Sequence, residues 1–146
     1  MELDNTQAII SKIGRIVDEI IIQELNKANI HDIAPTHGSI LMTLFDIEHI
    51  SMGELATKIN KTPQTVTTLV SKLQKLGYVK TLRCKHDKRS TFVKLTPQGE
   101  VLKPIFIEIS ALINTLQYQN IDCNQIDFLK LNLNQMLQNF IQYKNK

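Results

Sequence analysis

The sequence predicts a mainly α-helical fold that carries one small β-hairpin. Three observations predict it. Apolar residues recur at helical spacing, i, i+3, i+4 and i+7, through most of the chain. Two short runs rich in β-branched and aromatic residues, "YVKTL" and "STFVKLT", flank a charged stretch and read as paired strands. Start signals at Ser51, Thr62 and Thr96 mark where helices begin.

Taken in order, residues 5–27 place Ile9, Ile10, Ile13, Ile16, Val17, Ile20, Ile21 and Leu25 on one wide helical stripe. "NKANIHDIAPTHG" breaks that pattern with Asn29, Pro35 and Gly38. A second helix then turns Ile40, Leu41, Leu44 and Phe45 inward. Ser51 and Glu54 form an S-x-x-E capping box, in which each side chain bonds the other's free backbone N–H. The short helix it starts runs through Ile59 and buries Leu55, Ala56 and Ile59. After "NKTP", Thr62 caps the next helix and Pro63 takes its first position, where a missing N–H is harmless. That helix runs to Leu76 and stops at Gly77, a left-handed cap. The hairpin follows. "LTPQG" then repeats the start signal, with Thr96 as cap, and opens a long helix with Val101, Leu102, Ile105, Phe106, Ile109, Leu112, Ile113 and Leu116 at helical spacing. "QNIDCNQ" interrupts it. A last helix carries Ile126, Leu129, Leu133, Met136, Leu137, Phe140 and Ile141.

A helix-turn-helix followed by a β-hairpin is a winged helix. The chain therefore reads as a single 146-residue domain with a winged helix-turn-helix lobe at about 36–98. Helices at about 5–30 and 100–146 flank it. These terminal helices are too long and too apolar for so small a centre to cover. The simplest cover is a second copy, with the terminal helices of both chains packed together.

The net charge of +3 hides an asymmetry. Residues 58–94 hold ten Lys/Arg against one acid, Asp87, a net +9, and the rest of the chain carries −6. Such a basic middle marks a surface that faces a polyanion, in preference to an ordinary solvated face. No apolar run approaches membrane-spanning length. "MELDNTQAIISK" opens with acids, so no secretory signal is expected. Two cysteines are too few for a disulfide framework, and a reducing cytoplasmic compartment is expected. No phosphate-binding glycine loop, nucleophile–base pair or paired carboxylates point to an enzyme, and no cofactor is called for.

On the helix at 62–76, Val66, Leu69, Val70, Leu73 and Leu76 share one face. The other shows Gln64, Thr65, Thr67, Thr68, Ser71, Lys72 and Lys75. Short neutral hydrogen-bonding groups lie near the tip and lysines behind. A helix entering the major groove needs that order, base readers first and phosphate contacts after. Gln pairs bidentately with adenine, and a Thr methyl can touch a thymine methyl. Thr is a mediocre helix former, so four of them between 62 and 68 are poor choices for a merely amphipathic surface helix.

"GELATKINKTPQTVTTLVSKLQKLGYVKTLRCKHDKRSTFVKLTPQG" resembles the DNA-binding core of the MarR family of bacterial transcription regulators. The likeness lies in the Asp-x-Arg of the wing (Asp87, Lys88, Arg89), in "LQKLGYV" at the end of the recognition helix and in "LTPQG" after the wing. The order of flanking helices fits as well. The resemblance implies a homodimeric transcriptional regulator, a repressor relieved by a small-molecule effector, bound to an inverted-repeat operator in double-stranded DNA. In the family such effectors often sit between the dimer helices and the winged lobe. It further implies that Arg89 enters the minor groove and that Asp87 holds it in place. A surface pair of this kind adds little stability, so positioning is the better account of Asp87. The candidate DNA-contacting residues are Lys61, Thr62, Gln64, Thr65, Thr67, Thr68, Ser71 and Lys72 from the helix and its approach. From the wing they are Lys85, His86, Asp87, Lys88 and Arg89. The chain departs from the family pattern at Thr68, Thr81 and Leu82, where members often carry arginine. Arg83 or Lys85 is the candidate replacement.

Three other readings compete. Cys84 stands between Arg83 and Lys85, cations that favour a thiolate, which would make a redox-sensing regulator of the same fold. An incidental exposed cysteine is the simpler reading of Cys84: some family members sense oxidants through a cysteine near the N-terminus, and this chain has none there; Cys123 reads as a partly buried, inert loop residue. His31, Asp32 and His37 lie close in sequence, but no ligand spacing on a helix supports zinc. A winged helix used for protein–protein contact fits an acidic or apolar wing better than this basic one.

Overall fold

The computed structural model describes residues 3–83 and 90–146. The element order is α1 (Thr6–Lys27), α2 (Pro35–Asp46), β1 (Ile50–Ser51), α3 (Met52–Lys58), α4 (Pro63–Lys75), β2 (Val79–Arg83), β3 (Thr91–Leu95), α5 (Pro97–Glu100), α6 (Lys103–Gln117) and α7 (Cys123–Lys144). The fold is mainly helical with a small antiparallel sheet, as the periodicity predicts. No helix among the described residues is long and apolar enough to cross a membrane.

The caps behave as their chemistry requires. Ser51 Oγ accepts the Glu54 N–H at 3.1 Å, Thr62 Oγ1 accepts the Thr65 N–H at 3.2 Å, and Thr96 Oγ1 accepts the Gly99 N–H at 3.1 Å. Each contributes about 1 kcal/mol over Ala. The predicted return bond from the Glu54 side chain is absent among the described residues, so this is a simple cap and not a reciprocal box.

The chain divides into two compact units, Met1–Ile109 and Ser110–Lys146. In the first, α2, α3 and α4 pack against one face of the sheet. Leu41, Leu55, Val66, Leu73 and Val93 are fully buried there. The hairpin register pairs Val79 with Leu95 and Thr81 with Val93, so those side chains face the helices while Lys80, Lys94, Leu82 and Phe92 point the other way. The sheet has a third strand that the sequence reading missed. β1 pairs with β3 through Ile50 and Val93, giving the order β1-β3-β2.

Two helix boundaries differ from expectation. Gly38 does not break the chain; it lies in the first turns of α2, buried, where an added Cβ would come within 3.1 Å of Phe106 Cε1. It is a packing glycine that lets Phe106 approach. The long helix predicted from Thr96 is instead two helices. Pro104 lacks the N–H that would continue the ladder from α5, so the chain turns at Val101 and Leu102 and restarts as α6. Val101, one of the apolar set on that predicted helix, is 70% exposed as a result, while Leu102, Phe106 and Ile109 are buried and Leu116 is exposed.

The second unit, the end of α6 with α7, contains no buried hydrophobic residue. Phe128, Leu131, Phe140 and Tyr143 are each more than half exposed. A helical segment this short cannot close a core of its own. In the first unit, α1 buries only Leu25, and Ile9, Ile13 and Ile16 lie exposed. The wide stripe of α1 and the apolar residues of α7 are both left open in a single chain.

Candidate nucleic-acid interface

The candidate surface is built on α4, and its seating explains how it tolerates so many threonines. Val66, Val70 and Leu73 are buried at one-turn spacing, each contributing about 1.5–3 kcal/mol. Thr65, Thr67 and Thr68 inside the helix each disfavour it by roughly 0.6 kcal/mol relative to Ala. Burial wins by several-fold, so the exposed face is free to carry residues chosen for something other than helix propensity.

Lys61, Thr62, Gln64, Thr65, Thr67, Thr68, Ser71 and Lys72 are all exposed. They do not form one even face. Gln64, Thr68, Ser71 and Lys75 recur at i, i+4, i+7 and i+11, a single stripe opposite the buried one. Thr65 and Lys72 lie to one side of it. Thr67 lies to the other, the side of Gln74, whose Oε1 accepts a bond from Thr81 of β2 at 3.4 Å. The hydroxyls are also not equivalent. Thr67 donates to the Pro63 carbonyl at 2.9 Å and Thr68 to the Gln64 carbonyl at 3.1 Å. Thr62 donates to Thr65 Oγ1 at 2.8 Å, which leaves the Thr65 proton for an outside acceptor. Lys85, His86, Asp87, Lys88 and Arg89 fall outside the described residues, as does Cys84.

Behind the helix, a joint fixes where α4 ends. Gly77 has φ +86°, the left-handed cap conformation that glycine adopts freely. Its carbonyl accepts the Thr96 hydroxyl, and Gln98 Nε2 donates to the Leu76 carbonyl at 3.4 Å. Gly99 packs so close that an added Cβ would stand 2.1 Å from the Tyr78 carbonyl. The "TPQG" segment thus clamps the C-terminus of α4 onto the base of the hairpin. The sequence reading took it as a helix start and a family motif, not as a clamp.

His37, weighed above as a metal ligand, has a different role. It is 5% exposed, and its Nδ1 accepts the Ala34 N–H at 3.0 Å, closing the first turn of α2. Burial, with the Lys72 ammonium adding to it, pushes its pKa below the usual imidazole value. The neutral ring is the form that accepts that bond. His31 instead bonds Asn26 at 2.9 Å, and no three His, Cys, Asp or Glu come together among the described residues. Cys123 is not a partly buried loop residue; it opens α7 and is exposed. Three exposed cations left out of the candidate set, Lys75, Lys80 and Arg83, lie on α4 and β2. Lys80 stands directly opposite Lys94, a like-charge cross-strand pair that weakens a sheet.

A buried helix-turn-helix, an outward polar helix and a sheet at its back define a winged helix-turn-helix domain. Residues 33–91 match the model of the MarR family. The chain's relatives include the HTH-type transcriptional regulator SarZ of Staphylococcus haemolyticus, 34% identical over 80 residues, which are 55% of this chain and 54% of the relative. SarZ of Staphylococcus aureus is 30% identical over 95 residues, 65% of this chain and 64% of the relative. The matched stretch therefore spans between half and two thirds of these relatives' length. Among solved structures, the fold is shared with Staphylococcus aureus MepR in its DNA complex, at TM-score 0.85 and 20% identity over 94% of this chain and 99% of that one. A cysteine-to-serine mutant of Escherichia coli MarR complexed with operator DNA aligns at TM-score 0.76 and 21% identity, over the same 94% and 99%.

Proposed function

We propose that this chain is a homodimeric transcriptional regulator that binds double-stranded DNA sequence-specifically, as a repressor released by a small-molecule effector. The observation that carries the reading is the outward stripe of α4. It places an amide and a hydroxyl near the helix N-terminus and a lysine at its end, on a helix held rigid by three buried side chains. In this reading Gln64, Thr65 and Thr68 meet base edges in the major groove, and Lys61 and Lys72 meet phosphates, with Thr62, Thr67 and Ser71 alongside. The wing, from Lys85 to Arg89, continues the contact along the backbone and into the minor groove. The dimer is supported by the unburied apolar faces of α1 and α7, and the repressor and effector parts by the family resemblance. A cytoplasmic location goes with such a role.

The test separates base reading from phosphate contact. Gln64→Ala is expected to lose about 1–3 kcal/mol of discrimination at one position in each half-site, measured by competition between operator variants. Lys72→Ala is expected to weaken every duplex alike. A Gln64→Ala protein with unchanged discrimination at all positions would remove Gln64 as a base-reading residue.

A further inference from the structure

We propose that Thr68 reads the 5-methyl group of a thymine, so that an A·T pair is specified beneath the middle of α4. The proposal rests on the DNA-binding reading above. Thr68 lies on the outward stripe with Gln64, one turn closer to the helix N-terminus, and is exposed. Its proton is committed inward, since Oγ1 donates to the Gln64 carbonyl at 3.1 Å. What remains for an outside partner is a methyl group and the lone pairs of an acceptor.

An A·T pair presents in the major groove an amino donor at adenine N6 and a methyl at thymine C5. Both suit what Thr68 has left. Guanine presents two acceptors, N7 and O6, and Thr68 meets them as a third acceptor unless it gives up the bond to Gln64. Cytosine offers an amino donor but no methyl. The back-bonded threonine therefore selects thymine by two features that no other base combines with its partner. Thr67 makes the same kind of bond, to Pro63, but lies on the flank beside Gln74 and β2. Thr65 keeps its proton and is suited to an acceptor instead. Three neighbouring threonines thus present different chemistry to one groove.

The experiment uses the full chain and a specifically bound operator duplex in which thymines are replaced singly by deoxyuridine, a change that removes only the methyl. Affinity is expected to fall about four-fold at one position in each half-site under α4, the effect of one lost apolar carbon contact. Thr68→Ser, which keeps the inward hydroxyl and deletes the methyl, is expected to bind the thymine and uracil duplexes equally. Thr68→Val, which keeps the methyl, is expected to retain the preference. If the wild-type chain binds every uracil duplex as tightly as the parent, with specific binding intact, the methyl assignment is wrong while the DNA-binding reading stands. A preference that survives Thr68→Ser also overturns it, by placing the methyl contact on another residue. If no duplex is preferred over random sequence, the DNA-binding reading itself fails and takes this proposal with it.

Discussion

Raising the salt from 50 to 200 mM is expected to weaken operator binding by about 10³–10⁵-fold. The size follows from charge. Residues 58–94 carry a net +9 in each chain, and Lys61, Lys72, Lys75, Lys80 and Arg83 are exposed within the described part of that segment. A dimer that neutralises roughly six to ten phosphates releases a similar number of counterions, and the logarithm of affinity falls linearly with the logarithm of salt. The rest of the chain, at −6, adds no compensating attraction. Each phosphate contact removed is expected to lower the slope by about one unit, so Lys72→Ala flattens the line without changing which sequence wins. A slope near zero would show that the basic segment serves some partner other than a nucleic acid.

Combining Ile13→Glu with Phe140→Glu is expected to convert the proposed dimer to monomers and to lower operator affinity by about 10²–10⁴-fold, the usual gain from linking two binding modules. Both side chains are more than half exposed within one chain, so neither supports the core of the winged lobe. The lobe should therefore still unfold cooperatively, around Leu41, Leu55 and Val93. A partner covering α1 and α7 would instead bury both positions, and a buried unpaired carboxylate is strongly unfavourable. Sedimentation equilibrium at micromolar concentration reads the change directly. A wild-type chain that sediments as a folded monomer would contradict the shared-helix arrangement.

What the sequence made legible was chemistry that acts within one turn. Ser51, Thr62 and Thr96 announce helix starts because a cap needs only its own hydroxyl and an N–H three residues on. Gly77 announces a helix end because its left-handed φ is a local demand. The outward face of α4 was legible because burial of Val66, Val70 and Leu73 fixes what must lie opposite. What escaped depends on distant partners. β1 is two residues long and exists only because Ile50 meets Val93 across the chain. Gly38 looks like a breaker until Phe106, far along the sequence, is placed against it. The inward hydroxyls of Thr67 and Thr68 are local, yet residue type alone does not distinguish them from Thr65. The turn at Val101 had a signal in Pro104, which the continuous apolar pattern obscured. The wing residues from Lys85 to Arg89 lie outside the described structure, so their assigned contacts still rest on sequence.

In the proposed dimer, two identical winged lobes related by a two-fold axis would read the same half-site twice, in opposite directions. Selection of bound duplexes from a random or genomic pool, followed by sequencing, measures this directly. The predicted result is an enriched inverted repeat whose half-site centres lie about ten base pairs apart, one helical turn, with an A·T pair recurring inside each half-site. Retention of all duplexes in proportion to their input, with no enriched repeat, would contradict sequence-specific recognition by paired α4 helices.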